Sequence, residues 1–333
     1  MNRRPCRFFL RMLLFGASAF AAFLPGFGAA LTASGTVTLS GFNFSNGTIP
    51  VPQWSNGAVV AIEGQTTLAP TLHIFDAHGN YLRTVPFTLD GATWLLVRGY
   101  SSGPDGTIAL CGEAKDAQAQ VEHFVAILPP DQLTRPKIVR TYPYSPAAVA
   151  IAPDGTIWTM GIEYEPVPGK MLGRVIRPQA KVIRHFDHEG NQIGGFIPQA
   201  SVAPPDLPRP ALNGGSTNLA ASGDRVGWYQ GWGKSYFEIA ADGTVQSYPA
   251  LAHGSGEDII GLALTTSGHV FVSKLGGGRV QSYELDRTHG TWQPVQFAAP
   301  GATPLGPVLG AAGNAVAVAV SGGGMSIEFF PSH

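Results

Sequence analysis

A few side chains in this sequence are of types that could hold a metal ion or move a proton. Glu163 and Asp258 carry carboxylate oxygens, the ligands that calcium and other hard divalent cations prefer. His253 lies next to Gly254 and Gly256 in a glycine-rich stretch and could act as a catalytic acid–base group. Their linear spacing does not require a metal site, and solvated loop carboxylates would explain the same acidic residues.

Other side chains suit noncovalent binding. Trp232 lies between Gly231 and Gly233, which predicts an exposed ring, and aromatic rings offer large rigid contact surfaces. The candidate ligand-binding residues are Glu113, Tyr164, Tyr229, Trp232 and Lys234. Packing inside the fold is the alternative interpretation of the aromatic residues, and strand alternation predicts it for Trp228.

Several classes of function lack their sequence signatures. The sequence contains no Walker loop, no dinucleotide-binding fingerprint and no zinc-type cysteine cluster. The chain has 21 Lys and Arg and 22 Asp and Glu, so removal of the four arginines near its start leaves a net charge of −5. This charge does not favour nucleic acid as a partner. Cys111 is the only cysteine after residue 30, and its apolar neighbours predict a buried thiol.

The first thirty residues differ in composition from the rest. Four arginines lie in the first eleven residues without an acidic residue, and an apolar run from Met12 to Leu24 leads to small residues ending at Ala30. This order predicts a signal peptide over residues 1–30, export to the periplasm or the extracellular space, and no transmembrane segment after cleavage. An uncleaved anchor is the alternative, although the run is shorter than the roughly 20 residues of a membrane span.

A repeat of apolar stretch, tight turn and apolar stretch follows. The turns lie at residues 56–57, 104–106, 153–155, 223–224, 267–268 and 313–314. Glycine, asparagine and aspartate tolerate the positive φ that such hairpins need. A second hairpin signal, as in 182–186 followed by 192–196, gives four strands per period.

Six periods of four strands predict an all-β, six-bladed propeller over residues 31–333, formed as a single domain. The last period has only three strands, of which the third is the stretch 325–330. Near the other end of the repeat, the stretch 35–39 is a predicted strand without a partner. We expect these two to pair and close the ring, which removes two exposed edges. A pair of β-sandwiches is the alternative, but it does not predict the repeat.

The step at residues 154–158, Asp-Gly-Thr-Ile-Trp, and the later Phe-Asp-x-x-Gly-Asn at 186–191 resemble the NHL and SMP-30/gluconolactonase-like group of six-bladed propellers. That group includes scaffolds, lactonases, strictosidine-synthase-like proteins and a peptide-amidating lyase. The resemblance implies the architecture, and for the lactonases a divalent metal held on the axis by Glu, Asn and Asp. This chain departs from the Ala-Asp pair that often follows a second strand, since it has Cys111-Gly112, Met160-Gly161, Tyr229-Gln230 and Ser273-Lys274 there.

Two functions remain open at this stage. The first is a non-catalytic binding module, whose loop-rich face holds a protein, a glycan or a small molecule. The second is a metal-dependent hydrolase or lyase of the lactonase-like kind, with a divalent cation such as calcium as cofactor. A third possibility is a propeller within a larger cell-envelope assembly.

Overall fold

The computed structural model describes residues 30–40, 53–55, 58–76, 78–166, 174–202, 218–230, 235–252, 254, 257–298, 305–320 and 326–332. Within these ranges the chain is all-β apart from one short 3₁₀ turn, Gln199–Ser201. No helix in them is long and apolar enough to cross a bilayer. The predicted signal peptide lies outside the described residues except for Ala30, which belongs to a strand.

The strands fall into six blades, preceded by β1 (Ala30–Thr32) and β2 (Gly35–Thr38). The first blade contains β3 (Gln53–Ser55), β4 (Ala58–Glu63), β5 (Thr71–Asp76) and β6 (Tyr81–Pro86). The second contains β7 (Trp94–Ser102), β8 (Ile108–Lys115), β9 (Val121–Leu128) and β10 (Lys137–Arg140). The third contains β11 (Tyr144–Ile151), β12 (Ile157–Pro166), β13 (Arg174–Ile176), β14 (Lys181–Phe186) and β15 (Gln192–Pro198).

The remaining three blades follow the same plan. The fourth contains β16 (Leu219–Ser222), β17 (Arg225–Tyr229), β18 (Ser235–Ala240) and β19 (Val245–Pro249). The fifth contains β20 (Asp258–Leu264), β21 (Val270–Gly276), β22 (Arg279–Asp286) and β23 (Thr291–Ala298). The sixth contains β24 (Leu305–Ala312), β25 (Ala315–Val320) and β26 (Ser326–Pro331).

The first strands of the blades form a closed ring. Each blade is an antiparallel sheet whose strands lie in chain order from the axis outward, with β13 added beside β12. The strand β3 contacts β7, and the contacts continue through β11, β16, β20 and β24 back to β3. The six-bladed propeller predicted from the repeat is therefore confirmed.

The N-terminal strand closes the sixth blade, as the missing strand predicted. The strand β2 is antiparallel to β26, with Gly35 opposite Phe329 and Thr38 opposite Ser326. The structure adds a second contact that the sequence did not indicate, since β1 is parallel to β23 on the outer edge of the fifth blade. The N-terminal segment therefore holds the fifth and sixth blades together.

The tight turns have a shared chemistry. In the Pro-Asp-Gly-Thr turns the Asp154 carboxylate accepts a hydrogen bond from the Thr156 amide at 2.9 Å, and Asp105 accepts one from Thr107 at 3.0 Å. The following glycines, Gly106 and Gly155, have φ of 86° and 82°, which only glycine adopts without strain. These turns fix the register of the two innermost strands. They thereby fix the position of each side chain along those strands.

The innermost strands carry bulges that control the second strands. In β7 the register shifts between Val97 and Gly99, so Arg98 is an extra residue, and β11 shifts in the same way at Ala147. A Cβ atom on Gly112 would clash with the carbonyl oxygen of Leu96, and one on Gly161 would clash with that of Ser145. Glycine at these two positions therefore leaves room for the two carbonyl groups. The fifth blade has the same bulge at Ile260, with Lys274 at the corresponding position.

Candidate functional site

The described candidates for function lie at one face of the ring. Glu113 and Tyr164 lie near the ends of the second strands β8 and β12, and Tyr229 ends the second strand β17. Asp258 begins β20, a first strand that starts from the same face. This loop-rich face also receives the connections between blades, opposite the tight Asp-Gly turns. His253, Trp232 and Lys234 are outside the described residues.

A chain of polar contacts crosses from the second blade to the third, and we call it the arginine seam (Arg98, Glu113, His123 and Ser145). Arg98 Nη2 lies 2.9 Å from Glu113 Oε2, and His123 Nε2 lies 3.5 Å from the same oxygen. Arg98 Nη1 donates a hydrogen bond to Ser145 Oγ at 2.9 Å. The Arg98 and Glu113 side chains are only 11% and 14% exposed, so the pair is largely shielded from water.

The bulge in β7 positions this seam. A bulge re-aims the side chain of its extra residue, and here that residue is Arg98, whose guanidinium bridges Glu113 of its own blade and Ser145 of the next. Beneath the seam lies Cys111, which is fully buried as the sequence indicated. Burial raises the pKa of the Cys111 thiol to about 12, so the thiol stays neutral and unreactive at physiological pH.

The seam reaches the surface through an aromatic ring. Tyr142 stacks on the imidazole of His123, with ring centroids 5.9 Å apart and planes 18° from parallel. Tyr142 is 57% exposed, whereas His123 beneath it is 4% exposed. The loop-rich face therefore carries an aromatic surface backed by a buried histidine.

Glu163 is the centre of a second set of contacts, the Glu163 cluster (Glu163, Arg177, Arg184 and Gln199). Its Oε1 lies 2.9 Å from Arg177 Nη1 and its Oε2 lies 2.5 Å from Arg184 Nη2. Gln199 accepts a hydrogen bond from the Glu163 amide and donates one to the Glu163 carbonyl at 3.1 Å. Both carboxylate oxygens of Glu163 are thus engaged by arginines.

The two predicted metal ligands lie on different blades. Glu163 is in the third blade within its cluster, and Asp258 is an exposed residue opposite Leu275 in the fifth. In the part of the chain that the structure describes, no three His, Cys, Asp or Glu side chains are grouped so that they could hold a metal ion. The assignment of a metal to Glu163 and Asp258 stays a prediction.

Tyr229 packs inside the protein. Its ring is fully buried, and its hydroxyl oxygen accepts a hydrogen bond from the Leu251 amide at 2.8 Å. Trp228 and Tyr236 are fully buried as well. Both faces of β17 are covered because each blade lies between two others, so strand alternation cannot separate a core aromatic residue from a surface one here. Tyr164 is half-buried at the end of β12.

The sequence reasoning missed Arg98, His123 and Tyr142. Arg98 had a detectable signal, since it is the one charged residue in the apolar stretch 94–100. His123 and Tyr142 had none, because their pairing depends on how the third strand of one blade meets the connection to the next.

A shallow cavity of about 50 Å³ opens beside the second blade on the same face. Leu89, Ala92 and Ala114 contribute apolar surface, and Asp90, Asp116 and Glu122 line its polar part. The Lys115 ammonium lies 4.8 Å from the centroid of the Trp94 ring nearby.

The fold and the face together define a six-bladed propeller with loops of varied length on one side. No protein-family model matches the chain, and no curated protein matches it. Among solved structures it is similar to virginiamycin B lyase from Staphylococcus aureus (10% identity, TM-score 0.44, 90% of this chain and 99% of that chain). It is also similar to the WD40 repeats of RRP9 (11% identity, TM-score 0.45, 91% of this chain and 99% of that chain). A third similar structure is a protein of unknown function from Bacteroides caccae (12% identity, TM-score 0.46, 80% of this chain and 82% of that chain). Such similarities extend to the fold alone.

Proposed function

We propose that this protein is an exported propeller that binds a protein, glycan or small-molecule ligand on its loop-rich face without covalent chemistry. Export rests on the basic and apolar residues of 1–30. The single domain spans residues 31–333, and nucleic acid is not a partner because the charge after residue 30 is negative.

The observation that carries the proposal is that three glutamates of this face are held in ion pairs. Glu113 is paired with Arg98, Glu163 with two arginines, and Glu257 with Lys274 at 3.1 Å. A general acid or base must be free to exchange a proton with the substrate. Carboxylates held in ion pairs instead shape a rigid surface, which reduces the conformational entropy that the protein loses when a ligand binds.

The ligand-contact set combines rings and charges. Trp232 and Lys234 follow β17 in the sequence, and Tyr164 and Glu113 end neighbouring second strands. Tyr142 contributes an exposed ring on the same face. Aromatic rings beside charged groups suit a ligand with a flat apolar side and polar substituents, such as a sugar.

The test is equilibrium binding of the purified protein to defined panels of glycans and peptides. For any ligand found, Trp232→Ala should weaken binding by about tenfold or more while the unfolding midpoint is kept. The matched control is Trp54→Phe, since Trp54 lies next to the hairpin turn on the opposite face. Unchanged affinity in Trp232→Ala would remove that residue from the site.

The competing outcome is catalysis. Turnover of lactones or esters that requires a divalent cation, and is lost in His253→Ala and in Glu163→Gln with Asp258→Asn, would replace the binding module with the hydrolase or lyase. We expect no turnover, because Glu163 is already neutralised by Arg177 and Arg184.

A further inference from the structure

The sixth blade differs from the others in its charge. Glu328 is the one ionisable side chain in its described strands, β24, β25, β26 and β2. The sequence has no Lys, Arg or His between Gly290 and Ser332, and none between Met12 and Leu72. The sixth blade and the segments that flank it therefore contain no cation of their own for Glu328.

Glu328 is buried nonetheless. It is 5% exposed, and no hydrogen-bond donor among the described residues reaches its Oε2 atom. Burial raises the pKa of Glu328, because the ionised form is less well solvated than in water. The carboxylates Glu113, Glu163 and Glu257, in contrast, each lie within 3.1 Å of an arginine or lysine nitrogen.

Three hydroxyl-bearing residues share the sheet face of Glu328. Thr36 lies directly opposite Glu328, and Thr38 opposite Ser326, so all four side chains are on one face of the β2–β26 pair. Thr38 Oγ1 and Ser326 Oγ are 3.0 Å apart. Phe330, on the same face, packs against Phe297 of the fifth blade with ring centroids 4.8 Å apart. The face thus points toward the fifth blade, and exposed Thr36 and Thr38 leave it open to solvent.

We propose that this oxygen patch (Thr36, Thr38, Ser326 and Glu328) binds a hard metal cation, with the Glu328 carboxylate as its charged ligand. A set made only of carboxylate and hydroxyl oxygens suits calcium better than zinc or copper, which favour nitrogen and sulfur. Two of the four side chains come from β2 and two from β26, so the cation joins the N-terminal and C-terminal strands and strengthens ring closure. This site includes neither Glu163 nor Asp258 and none of the candidate ligand-binding residues.

The experiment is thermal unfolding of the purified protein at constant ionic strength near neutral pH, with calcium chloride, with magnesium chloride and with EDTA. Millimolar calcium should raise the midpoint of the wild type by about 2–5 °C over EDTA, because a ligand stabilises the state that it binds. Glu328→Gln should abolish that rise, and Thr36→Val with Thr38→Val should reduce it. The matched control, Asp258→Asn, should keep it.

Two outcomes would overturn the proposal. An equal calcium effect in Glu328→Gln would place the ion elsewhere. A wild-type midpoint that is the same in calcium and in EDTA would overturn the proposal as well. A higher midpoint of Glu328→Gln than of the wild type in EDTA would then show that the carboxyl is neutralised by a proton. Since Glu328→Gln is nearly isosteric and removes an unpaired charge, it should fold, and its midpoint in EDTA checks this directly.

Discussion

The place where Gly112 would carry a Cβ atom is occupied by the carbonyl oxygen of Leu96 on the neighbouring strand. That close approach exists because Arg98 is an extra residue in β7, which pushes the strand toward β8. The same relationship joins Gly161 and Ser145 in the third blade. In the second and third blades a glycine in the second strand leaves room for that carbonyl, whereas the fifth blade has the same bulge with Lys274 at the corresponding position. In the second blade the bulge directs Arg98 into the arginine seam.

Gly112→Ala should destabilise the protein by about 1–3 kcal/mol or more, because the methyl group must displace backbone rather than a flexible side chain. Gly161→Ala should behave alike. The control is Gly35→Ala in β2, where an added Cβ meets nothing within 4 Å and should change the free energy of unfolding by less than about 0.5 kcal/mol. Urea unfolding gives all three values, and equal stability of Gly112→Ala and Gly35→Ala would refute the steric account.

Sequence alone was enough for the blades because their signals are local. A Pro-Asp-Gly-Thr turn between two apolar stretches specifies a hairpin through its own hydrogen bonds, whatever surrounds it. The unpaired strand at 35–39 predicted the closure because the last period was short by one strand. The strands β1 and β13 gave no such signal. Each is three residues long and is a strand only because it pairs with a neighbouring strand.

The candidate site was less predictable for a different reason. Glu113 and Glu163 were recognised as loop-face carboxylates, but their partners Arg98 and Arg184 come from other strands, at positions fixed by a bulge and by strand register. Tyr229 was placed among ligand contacts because its neighbours are aromatic and glycine-rich. Its burial follows from the next blade, through Leu251 and Trp292.

The ion pair of the arginine seam should contribute strongly to stability when only one partner is removed. Glu113→Met leaves the Arg98 guanidinium largely buried without its carboxylate, so we expect a loss of about 3–5 kcal/mol. The double variant with Arg98→Met should recover part of that loss. In contrast, Glu189→Gln breaks the exposed pair with Lys137 and should change the free energy of unfolding far less, because water screens that pair. A double variant no more stable than Glu113→Met would contradict the pairing.

The buried His73 and the half-buried His185 should make the protein sensitive to acid. Burial lowers the pKa of His185, which stacks on Trp158 at 3.8 Å, and burial also lowers that of His73 despite the nearby Glu63. A lowered folded-state pKa means that the unfolded chain takes up the proton first. The contribution of each neutral histidine to the free energy of unfolding is complete above the unfolded-state pKa of about 6.5. It is lost as the pH falls through the lower pKa of the folded state.

Each histidine should therefore contribute a slope of up to about 1.4 kcal/mol per pH unit in that window. His185→Gln should flatten the dependence of the free energy of unfolding on pH, measured in urea between about pH 7.5 and about pH 5. His188→Gln changes an exposed histidine and should leave the slope as it is. An unchanged slope in both His185→Gln and His73→Gln would show that other groups govern the acid response.

The N-terminal segment should be required for a stable ring. Leu31 and Leu39 are buried at 7% and 9% exposure, in the cores beside the fifth and first blades respectively. Ser40 continues the segment onto the first blade, where it donates to the Gly79 carbonyl at 3.0 Å. A chain that begins at residue 41 loses these contacts and leaves β26 with an unpaired edge.

Removal of residues up to 40 should lower the free energy of unfolding by about 3–6 kcal/mol for the two leucines, with further loss from the broken β2–β26 pairing. The exposed edge should also promote association, visible as concentration-dependent size in analytical ultracentrifugation. A synthetic peptide of residues 30–40 added in excess should restore part of the stability and suppress association, whereas the same peptide with Leu31→Ala and Leu39→Ala should not. A shortened chain with an unchanged urea midpoint would show that the ring is closed by its other contacts.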